Sequence, residues 1–191
     1  MAGATRIFNG VIHEMKLSGL EIMSRVEQGS IVIKPFFPSQ MNPNSYDLRL
    51  ADTLLVYDEQ IPLDMAKRPI VSKVIIPANG FVLRPGELYL GSTLEYTESN
   101  DLIPGIEGRS SVGRLGINVH STAGFGDVGF CGTWTLELSV GRPVRGYAGV
   151  RICQIYYEPI VGEFIPYKSN KYQGQTLPRP SALWKESEEW R

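Results

Sequence analysis

Arg109, Ser110, Ser111 and Arg114 stand close together in RSSVGRLG, and guanidinium forks beside hydroxyls suit an oxyanion such as phosphate. A short helix opening near Ser110 would aim free backbone N–H groups at that anion and set Ser110 and Arg114 on one face. The plainer alternative for this octapeptide is a serine-capped, arginine-decorated surface turn. Downstream, a glycine-rich turn carries Asp127, and Glu137 interrupts the apolar run TWTLEL. In strand geometry Trp134, Leu136 and Leu138 face one way, and Thr133, Thr135 and Glu137 the other. A carboxylate so placed is often a solvated or ion-paired face; where that face closes a pocket, it is equipped for proton transfer near neutral pH. Phosphate-binding groups and an acid/base carboxylate within Glu107 to Leu138 point to an enzyme that handles a nucleotide.

One established chemistry for cytosine rings, zinc-dependent deamination, needs an H-x-E element and a downstream P-C-x-x-C pair. The chain has two histidines, His13 and His120, and its cysteines, Cys131 and Cys153, are 22 residues apart. His13-Glu14 has no cysteine partner, so a zinc deaminase is excluded and no zinc is expected. His120 is expected to pack or to touch a neighbouring subunit rather than to bind a ligand. The net charge of -1 over 191 residues argues against a broad nucleic-acid footprint. Two cysteines among apolar neighbours are too few for a disulfide framework and read as reduced thiols. MAGATRIFNG has no signal-like apolar run, and no stretch reaches membrane-spanning length, so a cytoplasmic protein is expected.

These groups need a scaffold, and the pattern supplies mostly strands. One helix announces itself near the N-terminus: Ser18 and Glu21 fit a capping box, Leu17 and Ile22 a hydrophobic staple, and Gly29 a stop. Leu20, Met23 and Val26 are expected to continue its apolar face. Short apolar runs between turn signals follow at 31–33, 46–50, 53–57, 71–76, 81–83, 88–90, 133–140 and 150–157. With 20 glycines and 13 prolines as punctuation, they favour an all-β barrel or jelly roll. No P-loop, dinucleotide fingerprint or internal repeat is present. Residues 168–191 read as a polar arm or lid outside a core domain of residues 1–167.

The chain resembles the dCTP deaminase family of the dUTPase-like superfamily. SGLEIMSRVEQGSIVIKPF is similar to the family's opening helix and strand, PNSYDLRL to its P-x-S-x-D-[LV]-R-L element, and RPGELYLGSTLEY to the strand pair before the active site. EGRSSVGRLGINVHSTAGFGDVGFCGTWTLELS matches its longest signature, and RICQIYY and KYQGQ close the series in the family's order. The resemblance implies a distorted, jelly-roll-like β-barrel with a short N-terminal helix and a C-terminal lid, assembled as a homotrimer with shared active sites. It implies deamination that is metal-free at the reacting carbon, with Mg2+ accompanying the triphosphate.

Carried over by residue, Glu137 would be the proton shuttle for a water attacking C4 of cytosine. Ser110, Arg114 and the carbonyl of Ala123 would hold that water and orient the amino group. The peptide groups of Thr135, Leu136 and Glu137 would read the base edge. Arg109, Ser110 and Ser111, with the intervening Val112 and Gly113, would take the phosphates, and Asp127 the 3′-hydroxyl. Gln154, Tyr167, Lys171 and Gln175 would close over the triphosphate. The nucleotide partners implied are dCTP and dUTP, with dTTP a candidate inhibitor; no nucleic acid or membrane is expected.

Gly124 and Phe125, in place of a His-Arg pair, together with the KYQGQ tail, resemble the bifunctional branch that carries dCTP to dUMP, ammonia and pyrophosphate. Three features depart from the family pattern. Gly126 and Val128 replace Ile and Pro around Asp127, which is expected to loosen that turn. SVGRPVRGYAGVRIC is shorter and more basic than the usual connection, and Tyr167 stands only four residues before Lys171. The alternatives are a deaminase that releases dUTP, a plain dUTPase, and a non-catalytic nucleotide-binding homotrimer.

Overall fold

Ser18 opens the first helix as its sequence context predicts: its Oγ accepts from the Glu21 N–H at 3.2 Å, and helix α1 runs Gly19–Glu27. The structure, a computed structural model, describes residues 15–58 and 62–190; His13 and Glu14 lie outside the described residues. The reciprocal half of the capping box is replaced, because the Glu21 carboxylate turns to Arg25 at 2.9 Å. The buried face also differs from expectation. Gly19 and Ile22 are buried and Val26 packs on the core, whereas Leu20 is 74% exposed. Gly29, at φ 76°, ends the helix region as anticipated.

Among the described residues thirteen strands follow: β1 (Ile31–Lys34), β2 (Tyr46–Arg49), β3 (Thr53–Tyr57), β4 (Val71–Ile75), β5 (Phe81–Leu83), β6 (Tyr89–Ser92), β7 (Tyr96–Ser99), β8 (Leu102–Gly108), β9 (Ile117–Val119), β10 (Cys131–Gly132), β11 (Thr135–Val140), β12 (Val144–Gly146) and β13 (Arg151–Pro159). A one-turn helix α2 (Ser110–Gly113) joins β8 to β9. All pairings are antiparallel, in sheets ordered β4-β3-β6-β11-β9, β2-β13-β8, β1-β7-β10 and β12-β5. The mainly β architecture matches the expected class, and the inward faces meet in one core. Ile22, Tyr46, Leu48, Leu136, Leu138 and Ile155 are among its fully enclosed members.

Strand β11 bears out the predicted alternation, with Leu136, Leu138 and Val140 buried and Thr135 and Glu137 on the other, half-open face. Strand β8 was not legible because Pro104 and Gly105 break its pattern. Its position explains the tolerance: β8 is an edge strand, paired with β13 from Cys153↔Gly108 to Pro159↔Leu102, where a missing N–H costs no ladder bond.

Beyond β13 the chain returns over the sheets without adding a strand. Tyr167 N–H donates to the Val128 carbonyl at 2.7 Å, Gly174 N–H to Cys131 at 2.8 Å, and Thr133 N–H to the Gln175 carbonyl at 2.8 Å. Gly132 permits this docking: at φ 148° a Cβ there would lie 2.8 Å from the Gln175 carbonyl oxygen. No helix among the described residues is long and apolar enough to cross a membrane.

Candidate active site

Glu137 lies on β11, inside a five-stranded sheet, with its side chain 37% exposed. Its Oε2 meets Nδ1 of His120, whose side chain is 4% exposed. The last bond between the β9 side and β11 runs from the His120 N–H to the Glu137 carbonyl at 3.2 Å, so backbone and side chain both tie these residues together. His120 holds φ 52°, a left-handed conformation uncommon outside glycine, and there the chain leaves β11. Its Nε2 is buried without a hydrogen-bond partner among the described residues. The β9 ladder stops at Leu138↔Val119, and by strand alternation Thr135 and Glu137 turn their peptide groups to the side that β9 has vacated.

That vacated edge opens on a cavity of about 730 Å³. Ala123, Asp127, Thr135 and Glu137 line it from the body, and Tyr167, Lys171 and Gln175 from the tail. Leu88, Leu90, Phe130 and Trp134 supply an apolar wall. Phe130 and Trp134 pack with ring centroids 4.7 Å apart, and Tyr167 meets Phe130 edge-on at 5.9 Å. The structure therefore gathers seven of the sequence-predicted residues around one space. Leu136 does not line this space: its side chain faces inward and is fully buried, and by the same alternation its own N–H and C=O turn to β6.

The Asp127 turn corrects one expectation. Gly126 does not loosen it; the glycine lets the chain pass where a side chain could not. A Cβ at Gly126 would stand 2.5 Å from the Trp134 ring and 2.6 Å from the Pro104 carbonyl oxygen. Gly126 N–H donates to that same carbonyl at 3.0 Å, Phe130 N–H closes on the Asp127 carbonyl at 3.2 Å, and Val128 is buried. The turn is fixed by packing and hydrogen bonds instead of by proline.

The arginine-serine group lies elsewhere on the same chain. Arg109 caps α2, Val112 turns inward, and Ser110, Ser111, Gly113 and Arg114 are exposed. None of them lines the Glu137 cavity. The Arg109 Nε contacts Oδ1 of buried Asp47 at 2.9 Å, and its Nη1 donates to the Arg151 carbonyl at 3.1 Å. Gln154 belongs with this second group: its Nε2 donates to the Gly108 carbonyl at 3.1 Å, and its Oε1 accepts from the Ser45 hydroxyl at 2.7 Å. Asp47 also lies 3.6 Å from Arg151. The sequence reading did not single out Asp47; the one available signal was a lone carboxylate inside PNSYDLRL.

The tail side of the cavity is well anchored. Gln175 is buried, and its Nε2 donates to the Thr133 carbonyl at 2.7 Å and to the Thr135 hydroxyl at 3.2 Å. The Lys171 ammonium pairs with Glu186. Arg179, also missed from sequence, lines the cavity and donates its N–H to the Thr135 hydroxyl at 3.1 Å. Among the described residues no three His, Cys, Asp or Glu side chains are grouped to hold a metal ion. Cys131 and Cys153 are free thiols, and burial pushes the Cys153 thiol up from its ordinary range.

The framework is mainly β and has a counterpart among solved structures. A solved structure of 2′-deoxycytidine 5′-triphosphate deaminase from Agrobacterium tumefaciens shares it with TM-score 0.60, across 75% of this chain and 48% of that one; at 22% identity the likeness is one of fold. Sequence comparison narrows the class to a family. The family model described as dCTP deaminase-like matches residues 16–160, and the chain belongs to that family. A protein of Cytophaga hutchinsonii named "dCTP deaminase, dUMP-forming" is 55% identical over 174 residues, covering 91% of this chain and 99% of its own. A protein of the same name from Hathewaya histolytica is 52% identical, covering 91% and 100%.

Proposed function

We propose that this chain is a dCTP deaminase that forms dUMP, hydrolysing cytosine at C4 and then the triphosphate, with release of ammonia and pyrophosphate. The observation that carries this reading is the Glu137 carboxylate, held by His120 beside an open strand edge in a cavity that Asp127, Lys171 and Gln175 also face. The dUMP-forming names of relatives at 55% and 52% identity support the second half of the reaction.

In this reading the peptide groups of Thr135 and Glu137 pair with the base edge, as one added strand segment would, and set C4 beside Glu137. Glu137 takes a proton from water as the water oxygen bonds to C4, the electrons of the C4–N3 double bond go to N3, and Glu137 delivers that proton to N3. Glu137 then takes the remaining proton of the new C4 hydroxyl and passes it to the exocyclic nitrogen. The C4–N bond breaks, ammonia leaves, and the C4 carbonyl of uracil forms. The Ala123 carbonyl, Ser110 and Arg114 orient the water and the departing nitrogen. Asp127 holds the 3′-hydroxyl and orients a second water, whose attack on the α-phosphorus breaks the bond to the β-phosphate and yields dUMP and pyrophosphate. Arg109, Ser110, Ser111 and the α2 backbone, with Gln154, Tyr167, Lys171 and Gln175, neutralise and enclose the phosphates. Mg2+ enters with the triphosphate; an ion carried chiefly by phosphates and water needs no dedicated cage of protein ligands.

The separation of α2 from the cavity supports a shared site. Ser110, Ser111 and Arg114 are exposed and away from their own chain's cavity, which supports their serving the cavity of a neighbouring copy in a homotrimer. The anchored tail supports reading residues 168–191 as a lid on a body of residues 1–167.

Incubation of the protein with dCTP and magnesium, followed by ion-exchange separation of the nucleotides, tests the reading. dUMP without accumulated dUTP is the expected result. Accumulated dUTP would mean a deaminase that stops there. Unchanged dCTP with hydrolysed dUTP in a parallel sample would mean a dUTPase, and no turnover of either would leave a binding protein.

A further inference from the structure

Lys171 and Arg179 are the lysine and arginine on the wall of the Glu137 cavity, facing a space that also carries the carboxylates of Asp127 and Glu137. Lys171 already has an anion. The tail passes along the cavity, with the Arg179 N–H on the Thr135 hydroxyl at 3.1 Å and its guanidinium on the Lys171 carbonyl at 3.0 Å. It continues with the Ser181 N–H on the Tyr57 hydroxyl at 3.3 Å and the Ala182 N–H on the Tyr172 hydroxyl at 3.0 Å. Ala182 is buried there, and the 3₁₀ helix Leu183–Trp190 then brings Glu186 onto the Lys171 ammonium. The side chains of this pair are 32% and 36% exposed, so the contact is open enough to exchange with solvent or with an incoming anion.

We propose that Glu186 is a built-in substitute for a nucleotide phosphate, competing for Lys171 and setting the threshold concentration at which a nucleoside triphosphate is accepted. The proposal rests on the reading of this cavity as the nucleotide site. A carboxylate and a phosphate oxygen seek the same ammonium, and the lysine presents one compact charge. A phosphate that takes the Lys171 ammonium therefore has to displace the Glu186 carboxylate. The bonds of Gln175 to Thr133 and Thr135 do not involve Glu186.

Glu186→Gln removes the competing charge and keeps the shape of the side chain; Glu189→Gln, on the exposed face of the same helix, makes the same change in net charge elsewhere. The KM for Mg–dCTP is expected to fall roughly two- to fivefold in Glu186→Gln, the range set by a half-exposed ion pair, with kcat unchanged. Glu189→Gln should match the wild type. Affinity for Mg–tripolyphosphate, measured by titration calorimetry, should rise by the same factor in Glu186→Gln alone. An unchanged or higher KM and affinity in Glu186→Gln overturns the competition, as does an equal gain in Glu189→Gln. Tripolyphosphate binding strengthened by Glu186→Gln without any dCTP turnover would sink the assigned reaction and leave the competition standing. Turnover of dCTP with no change in Glu186→Gln would do the reverse, and no tripolyphosphate binding by any of the three proteins would overturn it.

Discussion

His120 Nδ1 and Glu137 Oε2 are in contact, and the same two residues are joined by a main-chain hydrogen bond. The carboxylate we propose as the proton shuttle is thereby fixed at both ends of its residue, with one oxygen engaged by the imidazole and its side chain on the cavity wall. Glu137→Gln keeps the size and the contact but cannot carry a proton. Turnover of dCTP is expected to fall by about 100- to 10,000-fold, the usual worth of a positioned acid/base, with nucleotide affinity and circular dichroism unchanged. Wild-type turnover in this variant would remove Glu137 from the proton path.

Replacing the imidazole tests its positioning role. His120→Asn suits the left-handed backbone at φ 52°, which asparagine tolerates, while withdrawing the ring from Glu137. A roughly 100-fold loss in kcat is expected from a misplaced carboxylate, with KM little changed and an altered kcat–pH profile. Stopped-assay kinetics across pH 5 to 10 on the assay scale would show it; parallel loss of kcat and melting temperature without a change of profile would make His120 merely structural.

If the site is shared between copies, two inactive variants can repair each other. Glu137→Gln spoils the cavity half and Arg114→Ala the α2 half, which lie apart on one chain. Each alone should be inactive. Unfolding and refolding them together should restore part of the activity, because some interfaces then pair an intact Arg114 with an intact Glu137. Mixing that restores nothing, with mixed oligomers shown by mass spectrometry, would place both halves in one chain.

Gly126→Ile, which restores the residue usual in the family, should harm this protein. Its Cβ would fall 2.5 Å from the Trp134 ring. Overpacking of this kind costs about 1–3 kcal/mol. A lower melting temperature and a higher KM are expected, since the displaced turn carries Asp127. A fully stable, fully active Gly126→Ile protein would contradict the packing described for this turn.

Burial raises the ionisation of the Tyr157 phenol above its ordinary 10.0 and that of the Cys153 thiol above 9.0. Both groups are neutral at pH 7 in folded and unfolded chains. Above about pH 9 the unfolded chain sheds these protons first, so stability falls as pH climbs toward the raised folded values. Denaturant midpoints should be flat from pH 7 to 9 on the assay scale and then decline. Tyr157→Phe also removes a buried hydroxyl that lacks a partner among the described residues, so it should be no less stable at pH 7 and decline less at pH 10.5 on the same scale.

What sequence could reveal follows the physical range of each signal. The helix start at Ser18, the alternation of β11 and the turn opened by α2 depend on neighbours within a few residues, and all three were legible. Leu20 was misassigned because several arcs of a short helix are apolar, and only the partner decides which is buried. The His120–Glu137 pair joins residues 17 apart through a sheet register that periodicity does not encode. Asp47 and Arg109 are farther apart still, and their contact depends on how β2 and β8 flank β13. Gly126 was read by its backbone freedom, whereas Trp134 and Pro104 make its missing side chain the relevant property.

Of the three tryptophans in the chain, Trp184 and Trp190 ride on the terminal 3₁₀ helix and Trp134 lies buried in the cavity wall. The protein consequently carries intrinsic optical reporters on both the terminal helix and the cavity wall. Undocking of that helix would carry the part-buried Trp184 further into water and redden its emission, Trp190 being 47% exposed already, while Trp134 would respond to the nucleotide in the cavity. Rapid mixing with nucleotide could then time the opening of the segment against the chemical steps without any attached dye.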